Sequence, residues 1–135
     1  MPPLRAALDA IGDRWSLLIV AALLGGRRRF GDLQADVQGI ASNVLSSRLK
    51  ALVEGGLLSA EPYSDRPPRF AYELTDAGRA LADPVRLLAG WGARHRDADG
   101  PPVHEACGTV LEVGWLCPAC REPVAEAAGE ELDYA

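Results

Sequence analysis

Apolar residues keep a helical spacing of three to four positions from Leu4 to Val53, switch to every second position between Leu57 and Leu74, and return to the helical spacing through Trp91. A period of 3.6 buries one stripe of a helix and a period of two buries one face of a strand, so few architectures accept this order. The pattern predicts a mainly α domain in which four helices precede a small β-hairpin and a last helix follows it. Helices joined by a tight turn and followed by a hairpin make a winged helix-turn-helix.

The first helix, "LRAALDAI", sets Leu4, Leu8 and Ile11 on one stripe. Asp13 is the expected N-cap of a second helix, Arg14 to Leu24, which is apolar nearly all round and belongs at the centre of the domain. Gly25 and Gly26 stop it. A short third helix, "FGDLQADV", turns Phe30, Leu33 and Val37 inward. The fourth, "ASNVLSSRLKALVEGG", is capped by Ser42 or by the backbone at Ala41 and keeps Leu45, Leu49, Leu52 and Val53 on the core side. The strands are "LLSAEPY" and "FAYELT", the second alternating Phe70, Tyr72 and Leu74 against Ala71 and Glu73. Paired prolines in the intervening "SDRPPR" are expected to stiffen the connection and exclude a continuing strand. Thr75 caps the last helix, "DAGRALADPVRLLAGWGARH", with Leu81, Val85, Leu88 and Trp91 as its stripe and a kink or restart at Pro84.

A net charge of -5 over 135 residues argues against a nucleic-acid partner until the charge is divided along the chain. Residues 1-97 carry 13 Arg or Lys against 11 Asp or Glu, while residues 98-135 carry one Arg against eight acids and end in an Ala/Glu-rich dozen. An acidic tail over 98-135 thus masks a mildly basic domain over 1-97. The run "WSLLIVAALL" is too short to span a bilayer and continues into "GGRRRF", which is no cleavage site. A buried helix, a cytoplasmic protein and no membrane partner are expected, and in that compartment thiols stay reduced.

Affinity for DNA comes mainly from cations near phosphates, and sequence choice comes from short polar side chains at base edges. On the fourth helix, about residues 42-54, Asn43, Ser46, Ser47 and Lys50 share the face opposite the leucines, with Ser42 at its start. Asn pairs bidentately with adenine and Ser accepts several bases. The bland alternative is an ordinary solvated face. In the wing, residues 63-70, Arg66 and Arg69 flank a rigid turn suited to a minor groove or the backbone. The "RRR" run at 27-29, with Arg28 and Arg29 as its site candidates, is expected to meet phosphate, the alternative being a solubilising loop. Glu61 and Asp65 weaken the wing's field, so affinity should be modest and salt-sensitive. Arg48 lies beside the core stripe, where an ion pair with Asp32 and a phosphate contact are both open.

The segments "IGDRWSLLIVAALLGGRRRFGDL", "GIASNVLSSRLKALVEGGLL" and "PYSDRPPRFAYELTDAGRAL" resemble the HxlR-type winged helix-turn-helix transcriptional regulators over roughly residues 4-95. Their Arg-Phe, Leu-Ser-x-Arg-Leu, Pro-Pro-Arg and Leu-Thr-x-x-Gly elements stand in that family's order and spacing. The resemblance implies a dimeric bacterial DNA-binding repressor or activator, joined through its first and last helices. An unknown small-molecule effector is a further candidate partner. Leu4, Leu8, Ile11, Leu81, Val85, Leu88 and Trp91 are the interface candidates, and their two stripes exceed what a small core covers. Packing of Leu88 and Trp91 on their own domain or the tail is the alternative. A two-fold dimer sets its recognition helices roughly 34-36 Å apart on a pseudo-palindromic duplex. An enzyme is not expected: there is no Ser/His/Asp arrangement and no Gly-rich phosphate loop.

All three cysteines fall in "HEACGTVLEVGWLCPAC", as His104-x2-Cys107, nine residues, then Cys117-x2-Cys120. Three thiolates and an imidazole suit one tetrahedral Zn2+, and the spacing fits a zinc ribbon with its hairpin in "TVLEVGWL". Arg121 departs from the glycine common after the second pair. The tail has too few apolar side chains for a core, whereas structural zinc contributes on the order of 10-16 kcal/mol in peptides. A closed four-ligand site is structural. A Cys117-Cys120 redox pair, inert thiols, and His95 or Glu105 in place of His104 remain open. The resemblance also implies redox-sensing relatives with a cysteine ahead of the first helix, which this chain lacks. The competing function is a winged-helix protein-interaction module with a zinc-stabilised acidic tail and little DNA affinity.

Overall fold

The computed structural model describes residues 1–124; the Ala/Glu-rich end of the acidic tail lies outside them. Two compact units divide after Val85, inside the first turn of the last helix. The first contains α1 (Pro3–Ile11), α2 (Ser16–Leu23), β1 (Arg28–Arg29), α3 (Phe30–Asp36), α4 (Ser42–Glu54), β2 (Leu58–Asp65), β3 (Pro68–Leu74) and α5 (Asp76–Arg79). The helix α6 (Ala82–His95) begins in it.

Its core follows the apolar period. Ile19, Val20 and Leu23 of α2 are buried with Leu33, Val37 and Ile40, with Leu45, Leu49 and Leu52 of α4, and with Leu58 and Leu74 of the hairpin. The expectation that α2 sits at the centre is corrected: Ile19, Val20 and Leu23 are buried, but Leu18 (49% exposed), Ala21 and Leu24 leave one apolar side of the helix exposed. The helix starts at Ser16 rather than the expected Arg14, and its N-cap is Trp15 rather than the expected Asp13, because Asp13 closes a turn first. The Asp13 carboxylate accepts from the backbone N–H of Trp15 (2.8 Å) and Ser16 (3.0 Å) and from the Ser16 hydroxyl. The N-cap of α4 is Ala41, with no capping side chain, so Ser42 is the first helical residue rather than the cap.

Three antiparallel strands lie in the order β1-β3-β2. The expectation that the prolines end the strands is corrected. Asp65 pairs with Pro68, leaving only Arg66 and Pro67, joined by a cis peptide, at the tip. Pro68 is tolerated because it is the first residue of its strand, where a missing N–H leaves the ladder intact. The Ser64 hydroxyl donates to the Pro67 carbonyl and closes the turn. A bulge between Pro62 and Ser64 leaves Tyr63 unpaired and re-aims it. The alternation on β3 also needs correction: Phe70 is 40% exposed, whereas Ala71 is 5% exposed, opposite Arg29 of β1. The strand β1 was not foreseen; Arg28 pairs with Tyr72 and Arg29 with Ala71.

The Leu-Thr-x-x-Gly element ties the wing to the end of α4. Leu74 is buried, and the Thr75 hydroxyl donates to the Gly56 carbonyl (2.6 Å) while accepting from Gly78 N–H (3.2 Å). The Thr75 N–H donates to the Leu57 carbonyl (3.0 Å), and a Cβ at Gly78 would collide with that same carbonyl. Pro84 marks a restart: α5 ends at Arg79 and α6 opens at Ala82.

The second unit holds the rest of α6, an isolated bridge between Val103 and Val110, and a two-stranded sheet of β4 (Trp115–Leu116) and β5 (Pro123–Val124). No helix among the described residues is long and apolar enough to cross a membrane.

Candidate nucleic-acid interface

Burying Leu45, Leu49 and Leu52 turns the opposite side of α4 outward, and Ser42, Asn43, Ser46, Ser47 and Lys50 are all exposed. Among the described residues these side chains have no intramolecular hydrogen bond or ion pair, so their donors and acceptors are uncommitted. The α4 ridge stands between two shallow grooves. One, about 340 Å³, lies beside Asn43, Ser47, Asp13 and Trp15; the other, about 310 Å³, lies beside Ser46, Lys50, Ala60 and Phe70. A convex helix edge of this kind matches the width of a major groove.

Arg48 pairs with Asp13 (Nη1–Oδ2 3.5 Å) rather than with Asp32, which instead accepts from the Arg29 N–H (3.2 Å) at the start of α3. The Arg48 guanidinium therefore fastens α4 to the turn before α2. Burial opposes ionisation of Asp13, but the Ser16 hydroxyl, the Trp15 and Ser16 N–H groups and Arg48 outweigh it and hold the carboxyl below the ordinary aspartate range. A depressed folded pKa contributes stability above the unfolded value of 3.8, and that contribution fades as pH falls through the folded value. We expect Asp13→Ala to lose about 0.5–2 kcal/mol at neutral pH, the range for a capping side chain. Urea titrations at descending pH should show the gap to wild type narrowing in strong acid. A gap independent of pH would remove the carboxylate from this role.

The arginines before α3 are locally engaged. Arg27 pairs with Glu61 (3.2 Å), Arg28 with Asp36 (3.5 Å), and the Arg29 guanidinium lies 4.4 Å over the Tyr63 ring. Exposed pairs of this kind contribute about 0–1 kcal/mol, so they orient the arginines without committing them against a phosphate. Arg66 and Arg69 differ: both are exposed, and neither has an ion pair or side-chain hydrogen bond among the described residues. Sequence reasoning missed Tyr63, which the bulge re-aims, and the pairing of Arg27 with Glu61.

The dimer candidates divide by burial. No residue of α1 is buried; Leu4 and Leu8 are half-exposed and Ile11 is intermediate. Leu81 and Val85 pack against their own core. Leu88 and Trp91 are about half-exposed, and the Trp91 ring lies 5.4 Å from that of His95.

In the second unit, His104 Nδ1 lies 3.3 Å from Cys107 Sγ, which is 3.2 Å from Thr109 Oγ1. The Thr109 hydroxyl, then its backbone, lowers the Cys107 thiol. The Cys120 N–H, then that of Ala119, then the Cys120 side chain lower Cys117. The two pairs do not meet in one group of three or more ligands among the described residues.

Residues 10–99 match the family described as HxlR-like helix-turn-helix. The uncharacterized HTH-type transcriptional regulator Mb3122 of Mycobacterium bovis is 41% identical over 122 residues, covering 87% of this chain and 77% of that protein. YvaP of Bacillus subtilis, also an HTH-type transcriptional regulator, is 35% identical over 71% of this chain and 89% of its own. Among solved structures, the reduced redox regulator HypR superposes with a TM-score of 0.65 at 30% identity, over 70% of this chain and 94% of its own. PA1607, described as a candidate transcription factor, gives 0.73 at 32% identity over 92% and 89%. The chain belongs to the HxlR-like helix-turn-helix family and is a winged-helix transcriptional regulator, not an enzyme.

Proposed function

We propose that the protein regulates transcription in the cytoplasm as a homodimer, with α4 in the major groove of duplex DNA and the wing, residues 63-70, on the flanking groove or backbone. One observation carries this: the polar edge of α4 and the cations Lys50, Arg66 and Arg69 are exposed and unpartnered on one unit, among the described residues. Asn43, Ser46 and Ser47 read base edges, Ser42 and the uncapped first turn of α4 meet a phosphate, and Arg28, Arg29, Arg66 and Arg69 hold the backbone. Dimerisation covers the half-exposed Leu4 and Leu8 of α1 and Leu88 and Trp91 of α6; Leu81 and Val85 contribute only their outer edges. A small-molecule effector would find a recess of about 410 Å³ beside Leu18, Ala21, Ala22 and Val37.

The test is selection from random duplexes with the full chain, then footprinting and sedimentation of the complex. Two protected half-sites about one helical turn apart, roughly 34-36 Å, with two chains bound, are expected. Failure to retain any duplex in dilute salt, or one chain on a single half-site, would overturn it.

A further inference from the structure

Two short hairpins within residues 102-124 are built on one plan. In the first, His104 N–H donates to the Thr109 carbonyl (2.8 Å) and Leu111 N–H to the Pro102 carbonyl (2.9 Å). Its tip is a turn in which Cys107 and Gly108 N–H both donate to the His104 carbonyl, and Gly108 takes φ +73°. In the second, Trp115 and Leu116 pair with Val124 and Pro123, and Cys117 N–H donates to the Glu122 carbonyl (3.0 Å). Its tip is the same kind of turn: Arg121 N–H donates to the Cys117 carbonyl (2.9 Å), and Arg121 takes φ 63°. Each turn therefore presents a ligand-bearing residue at its first and fourth positions and a left-handed residue at its fifth. Arg121 is the one non-glycine residue at positive φ among the described residues. A side chain accepts that strain only where the surroundings over-determine the backbone.

Among the described residues, nothing apolar supplies that determination. Val103, Val110, Leu111, Val113, Trp115, Leu116 and Val124 are all 47–68% exposed, so the hairpins have no core of their own. A segment with a specified backbone and no buried side chain needs a cross-link. We propose that the two turns are halves of one closed tetrahedral Zn2+ site, with His104 through Nδ1 and Cys107, Cys117 and Cys120 through their sulfurs as ligands. The first half is already at the right span. An ion about 2.3 Å from sulfur and 2.0–2.1 Å from nitrogen sets a tetrahedral edge of roughly 3.5 Å, against 3.3 Å between Cys107 Sγ and His104 Nδ1. The halves do not share a group of three or more ligands among the described residues, and the proposal assigns their closure to the ion. Three soft thiolates and an imidazole select zinc over magnesium or calcium, and four protein ligands leave no position for a reacting water. A Cys117-Cys120 disulfide alone would leave the matching His104-Cys107 turn without a purpose. The assignment stands independently of the DNA-reading surface on α4.

The test uses the full chain purified without chelator. We expect one zinc per chain, three thiols unreactive until a chelator is added, and, after exchange with Co2+, the visible spectrum of a tetrahedral ion with three thiolates. Cys107→Ser and Cys117→Ser should each lose the ion on dialysis. His104→Cys should keep it and add a fourth sulfur-to-cobalt band. Helical circular dichroism of the winged-helix unit monitors each variant, and the cobalt spectrum of the unmodified chain reads the ligand set even if a variant misfolds. Metal-free protein with three reactive thiols, an isolated Cys117-Cys120 disulfide, half an ion per chain, or full retention by Cys107→Ser would each overturn the site.

Discussion

Replacing Leu45 by alanine is expected to cost the winged-helix unit about 2–5 kcal/mol, the range for truncating a fully buried leucine in a core that only partly relaxes. Leu45 is 0% exposed and belongs to the same cluster as Ile19, Val20, Leu33, Leu49 and Leu52. Small domains have only about 5–15 kcal/mol of net stability, so this is a large fraction of it. At roughly 4–8 °C per kcal/mol for a unit of this size, the melting temperature should fall by on the order of 10 °C or more. The neighbouring Ser46→Ala, on the exposed edge, should stay within about 0.5 kcal/mol. Thermal and urea melts followed by circular dichroism distinguish the two. A loss below about 1 kcal/mol for Leu45→Ala would mean that the leucine stripe does not back the helix offered to DNA.

That stripe was legible because it is local: Leu45, Leu49 and Leu52 fall on one side of α4 whatever the rest of the chain does. The same holds for the solvent edge through Asn43, Ser46, Ser47 and Lys50, and for Thr75 as a cap. What escaped depends on distant partners. The strand β1 is two residues long and exists only because it pairs with Tyr72 and Ala71, far along the chain. Arg48 had acids available in several places, and folding brought it to Asp13 rather than Asp32. The run at 27-29 read as three equivalent cations, yet Glu61, Asp36 and Tyr63 each claim a different one. The prolines misled for another reason: the penalty on proline in a strand applies to positions that donate to the ladder, and Pro68 opens its strand.

The tail shows the same division between local and long-range information. The spacing of His104, Cys107, Cys117 and Cys120 is a property of the sequence, and the two turns that present them are closed by hydrogen bonds within five residues. How the turns face each other is a long-range property with no apolar packing to encode it. A coordinated ion, as proposed above, would supply the missing constraint.

The division of labour between α4 and the wing predicts two distinct failures in DNA binding. Asn43→Ala is expected to lower affinity for the preferred duplex by about 1–3 kcal/mol, roughly 5- to 150-fold, while leaving binding to unrelated duplexes nearly unchanged. Lys50→Ala should likewise reduce discrimination, because Lys50 stands on the same exposed edge. Arg66→Ala should weaken binding to every duplex alike, since the wing tip offers charge without a base-reading pattern. Removing one cation from beside a phosphate should also lower the slope of log affinity against log salt by about 1, hence about 2 for a dimer carrying two wings. Because Arg66 has no intramolecular partner among the described residues, its removal frees no buried acid, and stability should be unaffected. Titrating preferred and scrambled duplexes at several salt concentrations reads both parameters. Equal losses on both duplexes for Asn43→Ala and Arg66→Ala would move the source of specificity away from α4.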